Sequence, residues 1–227
     1  MLLCLVSGYA NTKLMEITKY ERVLCLSPHT DDIEIGCGAT LAKLSESGTE
    51  IMSIAFSAAE ESVPDGFSKD ILRKEFKNSH YKLGINLDKC DVLNFKVRRF
   101  PEQRQEILEQ LVTINREFKP DLVLTTSSLD NHQDHKTIAE ESFRAFKRTS
   151  ILAYDIPWNQ RITAHDLYIA VSKKELDKKI EAIKEYKSQK FRGYVDKEFV
   201  ISLARVRGSV IGEEFAEAFE VIRLVQR

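Results

Sequence analysis

The chain has 227 residues, of which 43% are hydrophobic and 30% are charged. This length is sufficient for one α/β domain with a substantial core, and the composition is ordinary for a soluble globular protein. The formal net charge of −1 gives no overall attraction to nucleic acid or to anionic membranes, so neither is expected as a partner.

The N-terminal segment and the cysteines both bear on the location of the protein. Residues 1–10 are apolar but too short to span a membrane, and no basic segment precedes them as in a signal peptide. We therefore treat residues 1–14 as an uninformative extension, with Met15 as an alternative start, and residues 15–227 as a single domain. The four cysteines contain no CxxC pair, which favours free thiols in a reducing compartment and hence a cytoplasmic location.

Strand patterns alternate with helical patterns through the first two thirds of the chain. The predicted strands are residues 22–27, 51–56, 92–95 and 121–126. The predicted helices are residues 39–44, 69–83, 101–118 and 134–147. This alternation predicts an α/β fold with three layers, in which a mainly parallel twisted sheet has helices on both faces.

The last third of the chain is less regular. Residues 150–158 and 164–171 are predicted as strands, and residues 172–187 and 198–207 as helices, whereas residues 213–224 receive no assignment. We find no linker, internal repeat or low-complexity stretch, which is why one domain is expected.

Two histidine-acid clusters follow predicted strands. The first is Pro28-His29-Thr30-Asp31-Asp32, directly after residues 22–27. Adjacent aspartates cannot both point the same way, so one could bind a metal while the other faces a reacting water. An Asx turn that caps the following helix is the alternative for this pair.

The second cluster is His132-Gln133-Asp134-His135, after residues 121–126. Asp134 also fits a helix cap or a partner that orients an imidazole. In parallel sheets, sites form at the carboxyl ends of strands, so the two clusters are expected to meet. Imidazoles with one carboxylate are the usual ligands of a catalytic zinc, and the same set accepts iron, cobalt or manganese.

Together the clusters resemble the motifs of one family, the LmbE-like or PIG-L-type zinc N-deacetylases, whose motifs are (A/P)HPDD and HxDH. Residues 120–123 and the Ala-Glu-Ala-Phe segment at 216–219 also resemble that family. Thr30 and Ile33 depart from its usual proline and glutamate at those positions. The resemblance implies a catalytic domain of the Rossmann-like, LmbE type and one zinc ion per chain.

The resemblance also implies a role for each matching residue. His29, Asp32 and His135 would bind zinc, and Asp31 would be the general base that takes a proton from water. His132 would stabilise the oxyanion and protonate the leaving amine, and Asp134 would hold a neighbouring imidazole. The implied substrate is an N-acetylated amino sugar, as a sugar nucleotide or glycoconjugate. Relatives often self-associate, so the resemblance also implies a homo-oligomer.

Candidate substrate-binding residues lie outside the two motifs. Arginine suits bidentate recognition of phosphate or carboxylate. The candidates are Arg98, Arg99, Arg104 and Asn159, with Trp158 as a ring beside Asn159. A solvated basic helix start explains these arginines equally well. The resembled family often has an arginine three residues before a helical glutamate. Here Leu72 precedes Glu75 by three residues and Arg73 by two, so the resemblance does not support a substrate role for Arg73.

Other functions remain open at this level. The glycine turn at residues 34–40 resembles the first motif of S-adenosylmethionine-dependent methyltransferases, although Thr40 replaces its third glycine. A metallo-β-lactamase-type site would require histidine where Asp130 stands. A metal-dependent hydrolase of another amide and a non-catalytic binding module are the remaining alternatives.

Overall fold

The computed structural model describes residues 16–193 and 196–226. The extension expected at residues 1–14 lies outside the described residues. In the described part, seven strands form one sheet: β1 Arg22–His29, β2 Glu50–Ser57, β3 Cys90–Val92, β4 Leu122–Thr126, β5 Ser150–Tyr154, β6 Leu167–Ala170 and β7 Ala216–Arg223. The same residues contain six α-helices: α1 Asp32–Glu46, α2 Ile71–Leu83, α3 Arg104–Phe118, α4 Gln133–Ala145, α5 Lys173–Lys184 and α6 Lys197–Ile211.

The strand order is β3-β2-β1-β4-β5-β7-β6. Strands β1 to β5 are parallel, and β7 is antiparallel to both β5 and β6. The sheet is therefore mainly parallel, as predicted.

Side-chain alternation along the strands divides the core into two layers. Val23 and Cys25 of β1 pack with helices α1, α2, α5 and α6, whereas Leu24 and Leu26 pack with α3 and α4. Successive side chains of a strand point to opposite faces. The sheet is thus covered on both faces, which confirms the predicted three layers.

Helix α1 begins earlier than the sequence indicated, at Asp32, and bends at Cys37, where φ is −147°. A Cβ atom on Gly36 would lie 2.1 Å from Cδ2 of Tyr154, so glycine is needed for this close approach of α1 to β5. Just after the bend, the amide N–H groups of Ala39 and Thr40 donate to the buried carboxylate of Glu217.

Two strand predictions need correction. The third strand spans Cys90–Val92 and not residues 92–95, because beyond Val92 the regular pairing with β2 gives way to an isolated bridge between Ser57 and Asn94. The unassigned segment 213–224 contains β7, inserted between β5 and β6. Its buried Glu217 interrupts the apolar pattern that identifies a strand.

None of the helices in the described ranges is long and apolar enough to cross a membrane.

Candidate metal and catalytic site

The two histidine-acid clusters meet where the strand order reverses. The chain leaves β1 toward β2 on one side, and later enters β4 on the other side of β1. A crevice opens at the carboxyl ends of two such strands. His29 is the last residue of β1, and the loop after β4 leads to His132 at the start of α4.

Three side-chain atoms converge in this crevice. The distance from His29 Nδ1 to Asp32 Oδ2 is 3.3 Å, as are the distances from His135 Nε2 to His29 Nδ1 and to Asp32 Oδ2. Asp32 and His135 are buried, and His29 is half-buried. The three atoms therefore form a nearly equilateral triangle of two imidazole nitrogens and one carboxylate oxygen.

This triangle fits a tetrahedral zinc ion. Ligand atoms about 2.0–2.1 Å from a tetrahedral centre lie about 3.3 Å from one another. The ring nitrogens of His29, His132 and His135 also lie within 4.8 Å of one another. The set with Asp32 is tighter and leaves His132 available for chemistry, so it is the better candidate for the metal ligands.

Two further carboxylates orient the imidazoles of this triangle. Asp134 Oδ2 lies 3.0 Å from His29 Nε2, and Asp130 Oδ2 lies 2.9 Å from His135 Nδ1. With a metal bound, each contact would keep a proton on the ring nitrogen that faces the carboxylate and leave the other nitrogen as the ligand atom. The imidazole held by Asp134 is therefore that of His29.

The carboxylates also make the triangle favourable for positive charge. Burial alone would lower the pKa of His29, but hydrogen bonds and charges from Asp134 and Asp32 outweigh it and raise this pKa to about 10. Burial alone would raise the pKa of Asp32, but the charges of His135 and His29 and a hydrogen bond from His29 lower it to about 2. The three atoms thus lie where a cation is stabilised.

His132 lies beside the triangle, and one of its two ring nitrogens already accepts a hydrogen bond. Its Nδ1 accepts the amide N–H of Asp134 at 3.2 Å, which caps α4. Its ring centroid is 5.1 Å from that of His29 and 4.8 Å from that of His135. Burial and these two rings lower the pKa of His132. The neutral form carries its proton on Nε2, which is free to act as a hydrogen-bond donor.

Asp31 makes no side-chain cap bond to α1, so the Asx-turn alternative does not describe it. Instead, Asp31 is half-buried in the wall of a cavity of about 320 Å³, which His29, Asp32, His132 and His135 also line. The two adjacent aspartates therefore have different environments, one inside the triangle and one facing the cavity.

The candidate substrate-binding residues separate into two groups. Arg98 and Asn159 line the cavity, as does the half-exposed ring of Trp158. Arg99 and Arg104 lie outside its lining, where Arg99 pairs with Glu102 and Arg104 pairs with carboxylates of α4. Arg73 is held by backbone carbonyls at the edge of β3 and lies outside the cavity lining.

Several residues of the site were not predicted from the sequence. Asp130 was considered only as the position where a metallo-β-lactamase-type signature would need histidine, although a ligand histidine regularly needs an acceptor for its second nitrogen. Gln189 and Arg192 line the cavity from the segment after α5. No local pattern marks those two residues, because only the tertiary fold brings the segment to the crevice.

The methyltransferase alternative is contradicted by the position of its glycines. Gly36 and Gly38 lie inside α1 and not in a turn between strand and helix. A dinucleotide-type or nucleoside-binding loop requires such glycines to leave the backbone open to the ligand. In this chain they serve close packing instead.

Comparison with known proteins gives a family match and several curated relatives, two of which are named as deacetylases. The family model described as GlcNAc-PI de-N-acetylase (PIG-L) matches residues 24–146, more than half of the chain. The uncharacterized deacetylase YaiS of Escherichia coli is 28% identical over 181 residues, which cover 77% of this chain and 95% of YaiS. The diacetylchitobiose deacetylase of Thermococcus kodakarensis is 32% identical over 124 residues, covering 51% of this chain and 45% of that protein.

Solved structures show the same fold. The N,N'-diacetylchitobiose deacetylase of Pyrococcus horikoshii has a TM-score of 0.76 at 22% identity, over 91% of this chain and 85% of the other. GalB of Pseudomonas putida, a 4-carboxy-2-hydroxymuconate hydratase, has a TM-score of 0.74 at 18% identity, over 91% of this chain and 99% of the other. Deacetylases and a hydratase thus share the fold, and the family match, together with both motifs, shows that this chain belongs to the PIG-L (LmbE-like) de-N-acetylase family.

Proposed function

We propose that the chain is a zinc-dependent N-deacetylase that removes the acetyl group from an N-acetylated amino sugar. One observation carries the proposal. Three ligand atoms lie 3.3 Å apart in pairs, and an acid and an imidazole outside this set line the same cavity. This arrangement supplies a metal position, a base and an acid in one crevice.

His29, Asp32 and His135 would hold the zinc ion, and Asp134 and Asp130 would fix the two imidazoles. Bound zinc supplies Lewis acidity, which polarises an amide carbonyl and acidifies water. Three protein ligands leave a coordination position open, as in other catalytic zinc sites.

Asp31 would move the proton, and His132 would stabilise the oxyanion. Asp31 faces the cavity and takes a proton from the water that attacks the amide carbon. The Nε2–H group of neutral His132 donates a hydrogen bond to the developing oxyanion, and the proton taken up by Asp31, and not that of His132, passes to the nitrogen that leaves, so that Asp31 is ionised again at the end. This proton transfer is needed because an amine leaves poorly without a proton.

The substrate would bind in the remainder of the cavity. Asn159 and the ring of Trp158 suit sugar hydroxyls and the apolar face of a sugar, and Arg98 suits a polar group attached to it. The diacetylchitobiose deacetylase among the relatives supports an N-acetylated amino sugar, here as part of a sugar nucleotide or glycoconjugate. Arg99 and Arg104 are not part of this proposal, because they lie outside the lining.

Cys25, Cys37 and Cys90 are free and buried, which supports a reducing compartment and hence the cytoplasm. A homo-oligomer is proposed from the family resemblance alone.

The test combines metal content with acetate release. The purified protein would be analysed for zinc and assayed on N-acetylamino sugars and their UDP conjugates, with and without chelator. About one zinc per chain and chelator-sensitive acetate release are expected. In a matched assay, His135→Ala should bind no stoichiometric zinc, whereas an Asp88→Asn protein with an exposed surface change should behave as wild type.

Failure of this test would take two distinguishable forms. Absence of bound metal after zinc reconstitution would contradict the metal site. Zinc without acetate release from any sugar would instead leave the metal site standing and point to another amide as the substrate.

A further inference from the structure

Two arginines reach the catalytic cavity from different parts of the chain. Arg98 lies in the loop between β3 and α3, and Arg192 lies in the segment after α5. We infer that the cavity recognises an amino-sugar substrate through an anionic group, a phosphate or a carboxylate, held by Arg98 and Arg192. This inference rests on the proposed function, which supplies the acetamido end of the substrate.

The backbone of Arg98 is fixed in an uncommon conformation. Its φ of 66° lies in the left-handed region, which costs free energy for a residue other than glycine. Its amide N–H donates to Asp134 Oδ2 at 2.6 Å, and the same oxygen contacts His29 Nε2. The position of Arg98 is therefore tied directly to the carboxylate that orients His29.

The charge of Arg98 is not neutralised within the described part of the chain. Its guanidinium donates to Ser62 Oγ at 3.2 Å, and it takes part in none of the ion pairs found there. The nearby acids Glu60 and Glu61 are paired with Arg73 and Lys96. An arginine in a cavity wall without a carboxylate partner is suited to bind an anionic ligand.

The segment that carries Arg192 adds further positive charge to the same side. Arg192 also lines a neighbouring surface cavity of about 730 Å³ together with Lys187, Lys190 and Lys197. These three lysines are in no ion pair among the residues that the structure describes. The acid in that cavity, Asp196, accepts the amide N–H of Glu198 at the start of α6. Such a concentration of one charge attracts anions toward the opening.

Two buried carboxylates hold this segment against the core. Ser188 donates its amide N–H and its hydroxyl to Glu75, at 2.8 and 2.6 Å. The buried Tyr186 hydroxyl donates to the carbonyl of Thr30 and contacts Glu34. The basic segment is therefore anchored next to the His29–Asp32 turn.

The distribution of charge also determines the direction of the substrate. Asp32 lies in the triangle and Asp31 faces the cavity beside it, whereas Arg98 and Arg192 are exposed. The two guanidinium groups attract an anionic group to the open side of the cavity, and the proposed reaction requires the acetamido carbonyl at the metal position. The acetamido group therefore faces the triangle, and the anion is attached at the far side of the sugar. A cavity of about 320 Å³ is within the usual size range of small-molecule sites.

The experiment measures binding without turnover. Isothermal titration calorimetry on Asp31→Asn protein would compare N-acetylglucosamine with its 1-phosphate, with UDP-N-acetylglucosamine and with N-acetylmuramic acid. The three anionic sugars distinguish a phosphate, a diphosphate and a carboxylate. We expect at least one of them to bind roughly tenfold or more tightly than the neutral sugar, with an affinity that falls as salt is raised.

Charge-removing variants identify the binding residues. Arg98→Met should lower the affinity for the preferred anionic sugar by roughly ten- to a hundredfold, because a charge-assisted hydrogen bond is lost. Arg116→Met removes the same charge from an exposed position on α3 and is the matched control. If Arg98→Met lowers the melting temperature, Arg192→Met, from a different segment, replaces it in the comparison.

Equal affinity for the neutral sugar and all three anionic sugars would overturn the inference, as would identical behaviour of the Arg98, Arg192 and Arg116 variants. Failure of the proposed function is recognised separately. Acetate release without any preference for anionic sugars would contradict only the anion site. Charge-dependent binding without acetate release by the wild type would contradict only the reaction.

Discussion

Asp31 and Asp32 are adjacent carboxylates in different environments. Asp32 Oδ2 accepts the amide N–H of His29 at 2.8 Å and faces two imidazoles, whereas Asp31 faces the cavity. A carboxylate surrounded by imidazoles stays ionised, whereas one in a cavity wall is within reach of water. These environments support the proposed ligand role of Asp32 and the proposed base role of Asp31.

This assignment predicts that Asp31→Asn retains zinc but loses activity. The amide keeps the shape of the side chain but cannot accept the proton, so kcat should fall by about 10²- to 10⁴-fold. Zinc content and steady-state kinetics of the same preparation provide the measurement, with Asp88→Asn as an exposed control. Loss of zinc from a folded Asp31→Asn protein would argue against the base role and for a ligand role.

Asp130 has a positioning role at the proposed metal site that its sequence position does not reveal. Its Oδ2 faces His135 Nδ1, and its Oδ1 accepts the amide N–H of His132 at 2.8 Å. It therefore positions both histidines of the second cluster. Partners of this kind affect metal affinity without contacting the metal.

We predict that Asp130→Asn weakens zinc binding by about 10- to 100-fold without abolishing it. The asparagine oxygen still accepts a hydrogen bond, but the negative charge that strengthens the imidazole as a ligand is lost. Competition with a chromophoric chelator measures the affinity. A wild-type zinc affinity in this variant would show that Asp130 does not tune His135.

At the scale of elements, helix α1 joins the first cluster to the core. It begins at Asp32, approaches Tyr154 at Gly36, and after its bend donates two amide N–H groups to Glu217 of β7. Lys179 of α5 contacts the same carboxylate at 2.6 Å. Helix α1 is thereby fixed against β5, β7 and α5, and this fixes the orientation of the turn that carries Asp31 and Asp32.

Gly36→Ala tests this packing. The added methyl group would overlap the Tyr154 ring, whose hydroxyl is bonded to the carbonyl of Leu26 at 2.9 Å and cannot move freely. Overpacking of this kind should lower the free energy of unfolding by about 1–3 kcal/mol or more. Denaturant unfolding measures the change, with Gly193→Ala as the control because a methyl group there meets no atom within 4 Å. Equal stability of the two variants would mean that α1 adjusts its position without cost.

The elements also show which features were predictable from sequence. His29, Asp31 and Asp32 follow directly after an apolar strand, and His132 to His135 follow another, so local pattern and parallel topology together predicted that they meet. Gln189 and Arg192 come from a segment with no such pattern. Strand β7 escaped prediction because Glu217 is buried by long-range contacts with α1 and α5. Local periodicity reports neighbours in sequence, and these residues owe their positions to distant partners.

At the scale of the whole molecule, the metal triangle exists only because β1 and β4 are adjacent in the sheet. His29 and Asp32 follow β1, whereas His135 lies more than a hundred residues later. In the unfolded chain these ligands are far apart, so zinc should bind the folded state far more tightly than the unfolded one. The sheet order would thus link the proposed metal binding to folding.

The consequence is that zinc should raise the thermal stability of the protein. A ligand that binds only the folded state at 100 times its dissociation constant adds about 2.7 kcal/mol to the free energy of unfolding. For a chain of this size about 2–4 °C of melting temperature corresponds to each kcal/mol, so a rise of several degrees is expected. Differential scanning calorimetry with zinc and with chelator measures it. His135→Ala removes one ligand from α4 and should melt at the same temperature with and without zinc. A zinc-dependent rise that persists in that variant would place the metal somewhere other than at the ends of β1 and β4.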